Sequence, residues 1–334
     1  MSAALPVLDR LDRVALVHGP TPLDALPRLS DRLGGPRIYV KRDDCTGVAA
    51  GGTKGRKLEY LMGAALKGGA DTVITTGALQ TNHGRQTAAA AAKLGLKCIL
   101  VLADSVEGRS ASYHASGNLL LDRLTGAEIR KVKPPTDADE EMLRIAGDLK
   151  RQGRVAYVIP AGGSSPIGVL GYAVAGEEIA GQAKAFGLRP AEVVHATGSC
   201  GTQVGLLLGL AAAGIPVTGI TVRRKKDDQE ARVKALLVRT VSELQLDARL
   251  GDLAVEADDR FTGPGYGQPS PGMVEAVRLA AECEGLFLDP VYSGKGFAGL
   301  IQRIREGRYR KDDSVVFVHT GGLPGLFVYD EAFP

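Results

Sequence analysis

Short apolar runs rich in Val and Ile alternate along the chain with longer stretches whose apolar residues recur at helical spacing. The runs in the first half are TVITTG, KCILVL and VAYVIP, and those in the second half are EVVHA, PVTGITV and SVVFVHT. Alternation of this kind predicts a parallel sheet covered by helices. Because both halves show it, the sequence predicts an α/β fold with parallel-sheet cores.

One predicted helix begins directly after a glycine pair, in the segment GGTKGRKLEYL at residues 51–61. The apolar spacing from Leu58 onward predicts a helix that starts near Lys54. Lys54, Arg56 and Lys57 then face the positive end of the helix dipole, so we expect another interaction to offset that cost. An anionic or carbonyl ligand would do so, since a lysine amine is the usual nucleophile toward an aldehyde cofactor. Taken alone, two solvated surface lysines are the commoner arrangement.

Two further intervals have a distinct character. Residues 41–52 resemble the end of a strand that runs into a glycine-rich loop, which we place between two domains. Residues 223–260 form the most polar interval and predict a charged helix followed by a surface loop.

Composition narrows the class of protein. The 334 residues carry 41 basic and 38 acidic side chains spread along the chain, which argues against a nucleic-acid partner. The N-terminal segment has acidic residues where a signal peptide needs an apolar core, and no apolar run is long enough to span a membrane. We therefore expect a cytoplasmic protein with no membrane partner. The four cysteines form no CxxC pair and the five histidines no HExxH motif, so we expect reduced thiols and no metal site.

The segment GSCGTQ at residues 198–203 lies between a predicted strand and a predicted helix. Glycines there let backbone N–H groups converge on an anion at the helix N-terminus. The segment lacks the GK[ST] ending of a nucleotide loop and the GxGxxG spacing of a dinucleotide site, which favours a small monophosphate group. A glycine-rich turn needed only for tight packing is an equally good interpretation of the segment by itself.

Polar donors also follow the run TVITTG, in the segment ALQTNHGRQ at residues 78–86. Ligands of open α/β sheets bind at the carboxyl ends of the strands, where this segment lies. Gln80, Thr81, Asn82 and His83 suit a carboxylate. Thr81 or Asn82 would also serve as a helix N-cap, and capping is compatible with ligand binding.

Two later segments, DPVYSGKG at 289–296 and VFVHTGGLPGLF at 316–327, each suggest an apolar strand that ends in polar or glycine residues. This places Tyr292, Ser293 and Thr320 at strand tips. A tyrosine there is a candidate acid or base, although a packed ring with a surface hydroxyl is the commoner arrangement.

Together these motifs resemble the pyridoxal-phosphate-dependent D-cysteine desulfhydrase and 1-aminocyclopropane-1-carboxylate (ACC) deaminase family. The resemblance runs from about Lys41 to Phe327, through KRDD, GGTKGRKLE, QTNHGRQTAA, GSCGT, DPVYSGK and HTGG. It implies the tryptophan-synthase-β-like fold, fold type II, with residues 54–165 as a small domain inserted into a large domain of residues 1–53 and 166–334. It also implies pyridoxal 5'-phosphate as cofactor, a small amino-acid substrate, and a homodimer with one site per subunit in the interdomain cleft.

The resemblance also assigns site residues. Lys54 falls where the family bonds the cofactor aldehyde, Lys57 where it contacts the phosphate, Asn82 near the pyridine hydroxyl, and Thr320 beside the pyridine nitrogen. Thr81 and His83 fall in the substrate-carboxylate segment with Gln80 and Asn82, and Tyr266 and Tyr292 at two active-site tyrosines. The family's phosphate loop falls on Gly198, Ser199, Cys200, Gly201 and Thr202.

The expected reaction is a β-elimination in which the desolvated Lys54 amine removes the α-proton of the substrate. Either tyrosine would protonate the leaving group. The cyclopropane deaminases have an acidic residue where this chain has Ser293, and a neutral Thr320 makes the cofactor ring a weaker electron sink, which favours simple elimination over ring opening.

Three positions depart from the family pattern and leave the substrate open. The family usually has Asn at Thr53, Ser at Thr81 and a larger residue at Gly84. D-Cysteine is the first choice, followed by L-cysteate or another β-substituted alanine, and by ACC. An α/β protein that binds a phosphorylated ligand without catalysis is the alternative outside enzymes.

Overall fold

The computed structural model describes residues 5–133 and 136–333, which form two parallel β-sheets covered by helices. The strands are β1 Leu23–Ala25, β2 Arg37–Lys41, β3 Thr72–Ala78, β4 Lys97–Ala103, β5 Glu128–Val132, β6 Ala156–Ile159, β7 Pro190–Thr197, β8 Val217–Thr221, β9 Glu256–Asp258 and β10 Ser314–Val318. The α-helices are α1 Pro27–Leu33, α2 Lys54–Lys67, α3 Asn82–Lys93, α4 Gly117–Leu124, α5 Ala138–Arg151, α6 Pro166–Ala185, α7 Gly201–Leu210, α8 Lys226–Glu243, α9 Pro271–Glu284, α10 Ser293–Arg305 and α11 Leu323–Leu326.

The larger sheet has six strands in the order β1-β2-β10-β7-β8-β9. Only the β1–β2 pair among them is antiparallel. Every residue of β10 is buried, as expected for a parallel strand covered on both faces. Helices α6, α7 and α8 pack on one face, and α1, α9 and α10 pack on the other. The two layers bury both faces of the continuous apolar runs in β7 and β10.

The smaller sheet has four parallel strands in the order β5-β4-β3-β6. Helices α2, α3 and α4 cover one face and α5 covers the other. All four strands lie within 54–165, and all six strands of the larger sheet lie outside it. This distribution is compatible with the predicted inserted domain, whose boundaries stay a prediction.

The predicted α/β class is confirmed, because all six apolar runs form strands, namely β3, β4, β6, β7, β8 and β10. The helix predicted to start near Lys54 begins at that residue. The charged interval 223–260 contains α8 as expected, and it also contains the short strand β9, which its polar composition concealed.

The prediction of a strand directly before DPVYSGKG is wrong. Leu286 and Leu288 are buried, but they lie outside any strand, and α10 begins at Ser293. The neighbouring strand β10 already pairs with β2 on one side and β7 on the other, so no free edge remains there. Instead, the Asp289 carboxylate accepts the backbone N–H groups of Val291, Tyr292 and Ser293 and turns the chain into α10.

Candidate active site

Arg56, one of the three cations in the first turn of α2, is neutralised within the protein. Its guanidinium donates to Asp43 (Nε to Oδ2, 2.8 Å) and to Glu178 (Nη1 to Oε1, 2.9 Å). Tyr172 also donates to Asp43 (2.7 Å), and Lys41 donates to Glu178 (2.8 Å). For this residue the expected offsetting interaction is therefore a buried ion network, which fastens α2 to α6 and to the larger sheet.

Lys54 stands at the start of α2 with no hydrogen bond or ion pair to any residue of the described chain. Gly51 and Gly52 precede it with φ of 70° and 124°, in the left-handed region that favours glycine. A Cβ at Gly51 would lie 1.8 Å from the Asp44 carbonyl oxygen, so a side chain cannot fit there. Burial lowers the pKa of the Lys54 amine to about 8. The glycine pair thus delivers an unpaired amine to a desolvated position.

Lys57 is fully buried one turn later and also lacks a carboxylate partner among the described residues. Its Nζ donates to the carbonyl oxygen of Gly162 (3.2 Å). Burial, and then the neighbouring charge of Lys54, hold its pKa well below the usual range. A fully buried lysine and a half-buried one, with the Gly162 carbonyl as their only side-chain partner among the described residues, are costly unless an anion binds beside them.

The segment 198–202 lies next to Lys57, as the predicted phosphate loop requires. It joins β7 to α7, and a Cβ at Gly201 would stand 3.0 Å from Lys57 Nζ. Cys200 has a φ of 73°, an unusual value for a non-glycine residue that turns the backbone into the helix. The first N–H groups of α7 have no partners within the helix. The loop therefore offers backbone donors and a cation to one anion.

Ser164 completes this loop and was missed by sequence reasoning. Its hydroxyl donates to Ser199 Oγ (2.9 Å) and accepts from the Gly201 N–H (3.2 Å). A signal was present, since Ser164 belongs to a glycine- and serine-rich segment that follows the run VAYVIP at the carboxyl end of a parallel strand.

Thr53 connects the Lys54 position to two parts of the site, the segment at Thr320 and the 198–202 loop. Its backbone N–H donates to the Thr320 carbonyl oxygen (3.0 Å), and its hydroxyl is 3.3 Å from the Thr202 hydroxyl. Thr320 and Thr202 come from the ends of separate strand-to-helix connections. The predicted pyridine-nitrogen partner and the predicted phosphate loop are therefore joined through the residue that precedes Lys54.

Thr81 is the N-cap of α3, as the alternative interpretation proposed. Its hydroxyl accepts from the Gly84 N–H (3.3 Å). A Cβ at Gly84 would lie 2.5 Å from the Thr81 methyl carbon. The departures from the family pattern at Thr81 and Gly84 therefore compensate each other. The added methyl of Thr81 occupies the space that a side chain at residue 84 would need.

Gln80 and Asn82 are largely committed to bonds within the small domain. The Gln80 amide donates to the carbonyl oxygens of Tyr113 (2.6 Å) and Ser116 (3.0 Å) and accepts from the Asn118 N–H (2.8 Å). These bonds support a scaffolding role for Gln80 rather than a contact with substrate. Asn82 Oδ1 accepts from the Asn118 amide (3.0 Å), which leaves the Asn82 amide nitrogen as the donor available to a ligand.

His83 is buried and neutral. Its Nε2 is 2.8 Å from the Thr75 hydroxyl, and its Nδ1 has no hydrogen-bond partner although it is buried. Burial, and then the charges of Lys54 and Lys57, hold its pKa well below the usual range. A buried ring nitrogen without a partner is uncommon in a folded protein, and in this position it is free to bond a ligand group.

Tyr266 and Tyr292 meet although 26 residues separate them. Their hydroxyl oxygens are 2.5 Å apart, and their rings pack edge to face with centroids separated by 5.9 Å. Burial raises the pKa of both phenols, and the proximity of Tyr266 raises that of Tyr292 further. Tyr292 also lies beside the predicted phosphate loop, 3.7 Å from a Cβ placed on Gly198. The pair is therefore protonated at neutral pH.

Lys295 holds the loop that carries Tyr266. It is fully buried, and its Nζ donates to the carbonyl oxygens of Thr262 (2.6 Å) and Gly265 (2.8 Å). Burial lowers its pKa to about 8. Sequence reasoning missed this residue, because nothing in the segment SGKG shows which carbonyls the amine reaches.

Ser293 is occupied by the capping carboxylate. Its hydroxyl donates to Asp289 Oδ1 (2.7 Å) and accepts from the Asp289 N–H (2.7 Å). The Thr320 hydroxyl has no partner of this kind among the described residues. Of the two hydroxyls that the sequence offered to a pyridine nitrogen, Thr320 is the one left available.

Comparison with known proteins identifies the family. Residues 14–321 match the family described as pyridoxal-phosphate dependent enzyme. The chain belongs to the pyridoxal-phosphate-dependent enzymes. It is 45% identical over 325 residues to the D-cysteine desulfhydrases of Salmonella choleraesuis (strain SC-B67) and Salmonella newport (strain SL254), covering 96% of this chain and 97% of each relative. A crystal structure of an ACC deaminase homologue is 38% identical and matches with a TM-score of 0.87 over 98% of this chain and 97% of that one.

The residues present fit pyridoxal phosphate. Lys54 supplies a free amine for the aldehyde, and Lys57 with the 198–202 loop supplies a cation and backbone donors for the phosphate. The unpartnered Nδ1 of His83 and the tight approach of Gly201 to Lys57 are what a site built for a further polar group requires. The resemblance seen in the sequence and the cofactor it implied are confirmed.

No helix of the described chain is long and apolar enough to cross a bilayer. Among the same residues, no group of three or more His, Cys, Asp or Glu side chains is placed to hold a metal ion.

Proposed function

We propose that this protein is a carbon–sulfur lyase that carries out β-elimination on a small β-substituted amino acid, with D-cysteine as the first substrate. The reaction takes up one water and gives pyruvate, ammonia and hydrogen sulfide. The observation that carries the proposal is the half-buried Lys54 amine, which has no counter-ion among the described residues and stands one turn from Lys57 and the 198–202 loop. The 45% identity to D-cysteine desulfhydrases supports the choice of substrate.

Bound pyridoxal phosphate supplies an electron sink for the carbanion left when the α-proton departs. Lys54 would hold the cofactor through its aldehyde, and the free Lys54 Nζ would take the α-proton of the substrate. A pKa of about 8 suits this role, because a useful fraction of the amine is neutral near neutral pH. Lys57 and the Gly198, Ser199, Cys200, Gly201 and Thr202 loop hold the phosphate.

The substrate carboxylate binds at the start of α3. Backbone N–H groups of the first helical turn and the Asn82 amide nitrogen are available there, and Thr81 fixes the turn as its N-cap. His83 is neutral, so it orients rather than neutralises the ligand.

Tyr266 and Tyr292 form a second part of the substrate site, in addition to the start of α3. Because burial keeps both phenols protonated, their shared hydrogen bond presents a proton to the leaving sulfur. Lys295 positions Tyr266 through the loop carbonyls that it binds.

The neutral Thr320 supports elimination over ring opening. A hydroxyl holds a proton on the pyridine nitrogen less firmly than a carboxylate does, which weakens the electron sink. Ser293 does not restore an acid at this place, since its hydroxyl is held by Asp289. L-Cysteate and other β-substituted alanines share this chemistry, whereas ACC requires the stronger sink.

Two measurements test the proposal. Purified protein should be yellow with bound cofactor, should bleach on borohydride treatment, and should form pyruvate from D-cysteine. Lys54→Ala should lose the colour and the activity, while Lys67→Ala, on the exposed face of the same helix, should keep both. A preparation that stays colourless after incubation with pyridoxal phosphate would refute the cofactor role of Lys54. A yellow protein that forms no pyruvate from D-cysteine or L-cysteate would refute the elimination.

We also propose a cytoplasmic homodimer. Helix α11 packs against α4, and large apolar side chains are exposed at both, namely Leu124 of α4 (73%), Leu323 of α11 (38%) and Phe327 directly after α11 (66%). Exposed apolar side chains of this size favour burial against a second subunit. Light scattering coupled to size exclusion should give twice the mass of 34.9 kDa, and a monomer mass would contradict the dimer.

A further inference from the structure

Arg223 lies at the ligand-binding edge of the larger sheet. It follows the carboxyl end of β8 by two residues, and its side chain is exposed. Its guanidinium carbon is 5.7 Å from the centroid of the Tyr266 ring, and the Tyr266 hydroxyl is 2.5 Å from that of Tyr292. The positive charge therefore stands beside the tyrosine pair of the site.

Arg223 differs from its two basic neighbours in lacking an acidic partner. Arg224 pairs with Asp228 (3.3 Å) and donates to the Gly198 carbonyl oxygen (2.8 Å), and Lys225 pairs with Asp259 (3.7 Å). Within the described chain, Arg223 makes no ion pair or hydrogen bond and contacts only the Tyr266 ring in this way. Its planar fork of N–H donors is thus free to bind an oxyanion.

The start of α3 and the tyrosine pair are proposed to contact different parts of an amino-acid substrate. The carboxylate of every amino-acid substrate is accounted for by the N–H groups at the start of α3. A second cation at the tyrosine wall has no role in binding that carboxylate. Because it stacks on Tyr266, it lies on the side of the site where the tyrosine pair is proposed to protonate the β-substituent.

We propose that Arg223 contributes to specificity by binding a negative charge on the β-substituent, so that an amino acid with an anionic β-group binds more tightly than one of similar shape with a neutral group. This rests on the proposed elimination. For L-cysteate, Lys54 Nζ takes the α-proton, and the Cβ–S electron pair leaves with the sulfonate sulfur as sulfite. Hydrolysis then gives pyruvate and ammonia. The only co-reactant is water, and no external oxidant or reductant takes part.

Binding is tested first, with ligands that have no leaving group. Aspartate and asparagine are nearly the same shape and differ in the charge at the β-carbon. Dissociation constants for each enantiomer are measured with the holoenzyme from the cofactor absorbance. We expect aspartate to bind more tightly than asparagine, and Arg223→Gln to weaken aspartate about 10- to 100-fold while asparagine changes little. Arg223→Lys should retain part of the preference, and Lys225→Gln, which removes a nearby exposed charge, should retain all of it.

Turnover is tested next, with L-cysteate and with β-chloroalanine, whose substituent is neutral before it leaves. Arg223→Gln should raise KM for L-cysteate about 10- to 100-fold and leave kcat/KM for β-chloroalanine within about threefold. Equal losses for both substrates, or an unchanged aspartate preference, would overturn the role of Arg223 while leaving the elimination intact. A wild-type enzyme that forms pyruvate from none of these compounds or D-cysteine would overturn the elimination itself, and the specificity role with it.

Discussion

We predict that the titration of Lys54 controls how fast this protein takes up its cofactor. Only the neutral amine attacks an aldehyde, so the rate of bond formation follows the deprotonated fraction of Lys54. The perturbation is pH, applied to enzyme stripped of cofactor and then mixed with pyridoxal phosphate. In the folded protein, burial moves the pKa of this amine from 10.5 to about 8.

The size of the effect follows from that shift. With a pKa of about 8, about 9% of the amine is neutral at pH 7 and about 91% at pH 9, so the rate rises about tenfold and then levels off. An unperturbed lysine would rise about a hundredfold over the same range without levelling, because its neutral fraction stays below about 5% throughout. At pH 7 the neutral, reactive fraction of Lys54 is therefore roughly 300 times that of an unperturbed lysine.

Stopped-flow absorbance measures the rate at each pH. Free Nα-acetyl-lysine under the same conditions provides the comparison, because titration of the cofactor itself affects both amines alike. We expect the increase for the protein between pH 7 and pH 9 to be about one tenth of the increase for the free amine. Equal increases would show that Lys54 titrates as an exposed lysine and would refute the role assigned to burial.

Three further predictions concern the scaffold of the site. Asp43→Asn leaves the Arg56 guanidinium without its closest carboxylate and should lower the free energy of unfolding in urea by about 3–5 kcal/mol. Gly84→Ala should lower it by about 1–3 kcal/mol, because the new methyl meets that of Thr81. In a Thr81→Ser background the same change should be neutral or stabilise α3 by up to about 1 kcal/mol, measured by the same urea titration. Lys295→Met frees the Tyr266 loop and should lower kcat for D-cysteine about tenfold or more, while the cofactor absorbance stays unchanged.

Each of these has an outcome that would contradict it. For the Asp43 substitution, the control is Arg310→Gln at an exposed ion pair, which should lower the free energy of unfolding by less than about 1 kcal/mol. Equal losses in the two variants would show that the buried Arg56 network stabilises the protein no more than a surface pair does. Additive effects of the changes at Gly84 and Thr81 would show that the two positions do not compensate. Loss of cofactor colour in Lys295→Met would point to a folding defect rather than a positioning role.

The alternation of apolar runs was enough to predict six of the ten strands of the described chain, since most of these runs are continuously buried and carry their own signal. The start of α2 at Lys54 followed from the glycine pair and the apolar spacing after it. The failed strand before Asp289 had the same local signal. What excluded it was the pairing of β10 on both sides, which no local pattern records.

The features of the site that the sequence did not predict depend on contacts between residues distant in the chain. Arg56 reaches Asp43 and Glu178, the latter 122 residues away, so its presence in the first turn of α2 was ascribed to a ligand. Gln80 looked like a ligand donor because its amide bonds to the 113–118 segment are invisible in sequence. Arg223 was counted within a charged surface interval, and only the folded chain places it over Tyr266.

The contact between Thr81 and Gly84 constrains the order in which this site can change. A side chain added at Gly84 while Thr81 is present creates a clash at 2.5 Å, whereas loss of the Thr81 methyl first opens the room for it. A route from this chain toward a serine and a larger residue at these positions therefore has one accessible first step. The reverse route must begin at residue 84. Libraries that add side chains at residue 84 while Thr81 is kept will therefore miss variants that are stable as pairs.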